Sequence, residues 1–179
     1  MAARYKRAVS NLLIGNDDFP AAAEKMLMDA GVLHANRRYD GAAYLAGYAV
    51  ECSLKTILLM EALARATGAT TAPSLALALA TALPTIPAGV TNELKFKVKH
   101  QLALALNISL VHLHACGAVT RRYRRGVWPK LAVLRWTETS RYAAPGAVSA
   151  GKSRRWLGGA ASVVATSVRA MRRDGVVTG

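Results

Sequence analysis

From Gly41 to Thr67 the chain runs without a proline and is apolar on nearly every side. A stretch of that length without strand-like alternation is a helix suited to the centre of a fold. Asp40 stands before it as an N-cap candidate. Gly68 stands after it, where glycine can take the left-handed conformation that ends a helix. A helix that is apolar all round cannot stand alone, so other segments must cover it.

The flanking sequence supplies such segments. Gly15-Asn16-Asp17-Asp18 reads as a turn with capping residues, and Pro20 suits a first helical turn. A helix is predicted from Pro20 to Asn36, with Ala23, Met26, Leu27, Ala30 and Leu33 as its apolar stripe. Arg37-Arg38-Tyr39 makes a short connection to the central helix. Residues 69–90 hold Pro73, Pro84 and Pro87 and no charge until Glu93. They read as a loop carrying a short helix near Leu75–Leu83. Further helices are predicted over Asn92–Cys116, ended by Gly117, near Lys130–Thr139, and over Ala150–Arg172 after a turn at Pro145-Gly146. Alanine dominates the apolar fraction, and alternating β-branched runs are scarce. The reading is an all-α fold, a single helical bundle of about five helices without internal repeats. Residues 1–15 form a basic arm, 16–173 the helical domain, and 174–179 a flexible tail.

Charge divides the chain. Residues 1–93 carry 8 Lys/Arg and 8 Asp/Glu, whereas residues 94–179 carry 16 Lys/Arg against Glu138 and Asp174 alone. All of the net +14 therefore lies in the second half. A surface polarised in this way attracts polyanions, nucleic acid above all. The competing explanation is a base composition that favours Arg and Ala. Cys52 and Cys116 are isolated and read as buried thiols, with no spacing that fits a metal site. The apolar stretch Leu12–Ile14 is too short for a secretory core. Prolines interrupt Ala72–Val90, and polar residues interrupt Leu102–Val119, so neither reads as a membrane span. A cytoplasmic protein without membrane contact is the expectation. No cofactor is expected, since the phosphate-loop, dinucleotide, zinc-protease and nucleophile-elbow motifs are all missing.

Three groups of residues carry chemistry. Tyr44, Tyr48, Glu51 and Lys55 share one face of the central helix. A carboxylate among Ala, Leu and Val needs a partner, and Lys55 stands one turn on in the favourable order. The group is either a structural ion pair or a polar pocket between helices, with Arg141 as a further basic candidate. Arg121, Arg122, Tyr123, Arg124 and Arg125, followed by Trp128, have the basic and aromatic mixture that grips single strands. Arg154, Arg155 and Trp156 repeat it. The plainer alternative is a solvated loop with an anchoring Trp. Of the four histidines, His100 follows Lys95, Lys97 and Lys99 and is the best candidate for acid–base chemistry. His112 and His114 face different sides of a helix and make poor joint ligands.

The segment Arg38-Tyr39-Asp40-Gly41-Ala42-Ala43-Tyr44-Leu45-Ala46-Gly47-Tyr48-Ala49-Val50-Glu51-Cys52-Ser53-Leu54-Lys55 resembles the second-helix signature of HEPN-domain proteins. Lys99-His100-Gln101-Leu102 resembles the family's His-Asp-Leu element, with Gln101 in place of Asp. Trp136 followed by Arg141-Tyr142 resembles the element before its final helix. The resemblance covers roughly residues 20–172. It implies a bundle of about five helices, often dimeric, that associates with RNA or nucleotides and pairs with a minimal nucleotidyltransferase in toxin–antitoxin modules. In the ribonuclease branch an Arg five to seven residues ahead of a His stabilises phosphate charge while the His moves protons. No Arg stands in that relation to His34, His100, His112 or His114.

The expected function is a non-catalytic, HEPN-like domain that binds RNA, nucleotide or a nucleotidyltransferase-type partner, as a homo-oligomer. The alternatives are a divergent ribonuclease using His100 and a basic structural subunit of a ribonucleoprotein or defence assembly.

Overall fold

The computed structural model describes residues 13–14, 17–82, 121–123 and 143–178. The helices predicted over Asn92–Cys116 and Lys130–Thr139, with His100, His112, His114, Arg124, Arg125, Trp128, Trp136 and Arg141, lie outside the described residues.

The described part is all-α and forms a helical bundle, as the sequence predicts. Five helices are described, together with a ladder of two two-residue strands. β1 (Leu13–Ile14) and β2 (Asp17–Asp18) pair antiparallel, Leu13 opposite Asp18 and Ile14 opposite Asp17. This turn delivers the chain into α1 (Phe19–Ala35), where the Asp18 carboxylate accepts the Ala21 N–H at 3.0 Å. An N-cap of this kind typically contributes about 1 kcal/mol. Phe19, Ala23, Leu27 and Ala30 form the buried stripe of α1.

α1 ends on a tight reversal. The Arg37 N–H donates to the His34 carbonyl at 3.0 Å, and the Arg38 N–H donates to the Leu33 carbonyl at 2.8 Å. That is the double bond of a Schellman motif, and its left-handed residue is Arg37, at φ 60°. α2 (Tyr39–Thr67) follows at once and packs back along α1. It begins two residues before its predicted start, so Asp40 is not its N-cap. Arg38 holds that position and makes no side-chain capping bond. The Asp40 carboxylate instead accepts the Gly146 and Val148 N–H groups, both at 2.8 Å, because those donors in the loop before the next long helix have no helical partner.

α2 is the central helix. By length and composition it would pass for a membrane span, but its apolar stretch is 72% buried within the bundle. Ala46, Ala49, Val50, Ile57, Leu59, Met60 and Leu63 are closed from solvent. Ser53 and Thr56 turn their hydroxyls to the carbonyls one turn back, Ala49 and Cys52, each at 2.9 Å. Buried hydroxyls must find such partners. Gly68 ends the helix at φ 68°, as its position predicts. α3 (Ala72–Ala82) is the short helix expected in the proline-rich stretch. Thr71 and Ser74 exchange side-chain-to-backbone bonds at its start, a capping-box arrangement, and Leu75 and Leu79 seat it against the core.

The predicted final helix is two helices. α4 (Ala150–Thr166) is capped by Ser149, and α5 (Val168–Arg173) follows after a break at Ser167. The Ser167 hydroxyl bonds the Val163 carbonyl at 2.6 Å, and its ψ of −87° departs from the helix. α4 covers both α1 and α2 through Trp156, Ala160, Val163 and Val164.

The expected flexible tail is also corrected. Gly175, at φ 69°, closes a second Schellman motif, in which its own N–H meets the Arg172 carbonyl and the Val176 N–H meets the Met171 carbonyl. Val176, Val177 and Met171 are all buried, so Val176 and Val177 belong to the core.

Candidate nucleic-acid interface

The polar group on α2 forms as spaced. Lys55 Nζ lies 2.7 Å from Glu51 Oε1, with the two side chains 11% and 3% exposed. The ammonium also sits 5.3 Å from the centre of the Phe19 ring, which adds a cation–π contact. One and two turns earlier, the Tyr44 hydroxyl donates to that of Tyr48 at 3.2 Å, and their rings meet edge to face. The arrangement holds a buried ion pair, with Tyr44 and Tyr48 half-buried beside it.

The arginine clusters behave differently from their aromatic neighbours. Arg121, Arg122, Arg154 and Arg155 are exposed. Tyr123 and Trp156, which the sequence reading placed among base-stacking residues, are 0% and 5% exposed. Neither ring has a free face, so neither can stack on a base. Tyr123 is held by Asp174, whose Oδ2 accepts the phenol at 2.6 Å while its Oδ1 takes Arg122 Nη2 at 2.8 Å. Burial pushes the Tyr123 hydroxyl well above the ordinary tyrosine range. Its bond to the Asp174 carboxylate raises it further, and Arg122 opposes the shift. Trp156 carries Lys152 Nζ 5.2 Å from its ring centre. The sequence shows aromatics among arginines, but it does not show that helix periodicity turns Trp156 inward and that Asp174 draws in Tyr123.

Three ties between distant segments went unpredicted. His34 Nδ1 meets the buried Ser153 Oγ at 2.9 Å, joining the last turn of α1 to the start of α4. Glu24 on α1 takes Arg172, and Arg169 Nε at 3.5 Å, from α5. Asp174 binds residues 121–123. The signal for the last was its isolation: Asp174 is the only acid after Glu138 and directly follows Arg172-Arg173. Such a carboxylate has many cations to choose from.

The fold and its surface define a class: an all-α bundle whose exposed cations lie largely in its second half. No protein family, curated protein or solved structure matches the chain.

Proposed function

We propose that this chain is a HEPN-like, non-catalytic domain that binds RNA through the phosphate backbone. The observation behind it is the 16-to-2 excess of cations over acids after residue 93. Arg121, Arg154, Arg155 and Arg173 are exposed and ready to meet phosphates. The RY-D-A-YL-YA-E-LK pattern over Arg38–Lys55 supports the family reading. His34 is engaged with Ser153 and with the Tyr39 ring, which gives it a structural role.

Fluorescence anisotropy with labelled single-stranded RNA over a salt series tests the proposal. Affinity should fall steeply with salt, with a log–log slope of roughly −0.7 per phosphate contact. Replacing Arg154 and Arg155 together by Ala should flatten that slope. Absence of binding at low salt rejects the proposal. Cleavage of the RNA during the assay, abolished by His100→Ala, would put the ribonuclease reading in its place.

A further inference from the structure

Apart from Arg65 at the end of α2, Arg121, and Arg173 at the end of α5, the described cations fall into two groups. Lys25, Lys55, Arg122, Arg169 and Arg172 each face a carboxylate: Asp29, Glu51, Asp174 or Glu24. Arg37, Arg38, Lys152, Arg154 and Arg155 have no carboxylate partner among the described residues, and all five are exposed. These five gather at one end of the bundle. The His34–Ser153 bond sets the α1–α2 junction beside the first turns of α4. The Asp40 clamp on Gly146 and Val148 holds the loop before α4 against the start of α2. Side chains on a helix lean toward its N-terminus, so Lys152, Arg154 and Arg155 lean toward the end of α4 that the His34–Ser153 bond sets beside the α1–α2 junction. Asp40 lies at the same end, but its two oxygens are taken by backbone N–H groups.

Arg37 adds an independent observation. It is the one non-glycine residue of positive φ among those described, at a helix-end position that ordinarily belongs to glycine. Strain retained at one residue points to a role for its side chain. Trp156, the large aromatic of α4 at this end, is buried, so it offers these cations no stacking platform.

We propose that this end is an RNA-backbone clamp, with Arg37 and Arg38 on one jaw and Lys152, Arg154 and Arg155 on the other. The inference rests on the RNA-binding reading and locates it. Contact through phosphates alone makes binding indifferent to base sequence and dependent on salt throughout.

The test uses the full chain and single-stranded RNAs of several sequences, in anisotropy titrations over a salt series with parallel thermal melts. Arg37→Gly should weaken RNA binding and lower the slope by roughly 0.7, while the melting temperature holds or rises because glycine relieves the left-handed strain. Arg154→Ala with Arg155→Ala should lower the slope by roughly 1.4. Lys25→Ala, which removes a cation already spent on Asp29, should leave binding unchanged. All RNA sequences should bind alike. If the wild type binds RNA and the Arg37 and Arg154/Arg155 variants keep its affinity and slope, the clamp is overturned and the RNA reading stands. A wild type that binds no RNA at low salt overturns both. Tighter binding to an acidic peptide than to RNA at equal salt, lost in the same variants, would overturn RNA as the ligand of this surface.

Discussion

Glu51 places a carboxylate in the interior. Its carboxylate is almost closed from water and has Lys55 at 2.7 Å. Truncating one member of such a pair leaves the other charge buried and uncompensated, typically at about 3–5 kcal/mol. Glu51→Ala should therefore lower stability by that order in urea unfolding. The double change Glu51→Met with Lys55→Met should cost much less, since it removes both charges and keeps the volume. Equal losses in the single and double variants would show that the pair is not what Glu51 contributes. This pair was legible in sequence because both members lie on one helix, where four-residue spacing fixes their distance. Tyr123 was not, because its burial depends on Asp174, 51 residues away. Sequence spacing conveys local geometry and carries no information about which distant acid reaches a given phenol.

At the scale of elements the same division holds. The boundaries of α1, α2 and α3 fall within a few residues of the apolar periodicity and the punctuation at Pro20, Gly68 and Pro73. What escaped prediction was the use of polar side chains across elements. Asp40 looks like an N-cap for α2 because it precedes the apolar run, yet it serves the loop ahead of α4. Asp40→Ala strands two backbone donors, a loss of about 1–3 kcal/mol for each that is not taken up by water. Amide hydrogen exchange at Gly146 and Val148 should accelerate in Asp40→Ala, with α2 itself little changed. Faster exchange along the first turns of α2 instead would restore Asp40 as its cap.

Across the whole molecule, Asp174 ties residues 121–123 to the end of α5, and its bond to Tyr123 makes stability sensitive to alkali. The folded Tyr123 hydroxyl has a raised pKa, so its contribution is fully present below the unfolded tyrosine value of about 10. It is lost as pH climbs past that value, because the unfolded chain gives up the proton first. Denaturant midpoints should therefore fall progressively as the pH rises above about 10. Tyr123→Phe should show a shallower decline than wild type over that range. Identical declines would place the alkaline sensitivity on other groups. For the functional surface, sequence showed the sign of the charge and the arginines that carry it. It did not show that the end of α1, next to Arg37 and Arg38 of the neutral half, meets the start of α4, because that meeting is made by the His34–Ser153 bond.

The dependence of α2 on α4 also shapes how the chain is made. α2 is complete at Thr67, but the helix that covers one of its apolar faces ends only at Thr166. At ordinary ribosomal speeds that interval lasts roughly 5–20 s. Throughout it a nascent α1–α2 hairpin presents to solvent the surface that Trp156, Ala160 and Val163 will later occupy. The emerging polypeptide is thus a natural client for a chaperone that holds apolar helices, and slow translation past Thr67 lengthens its exposure to misassociation.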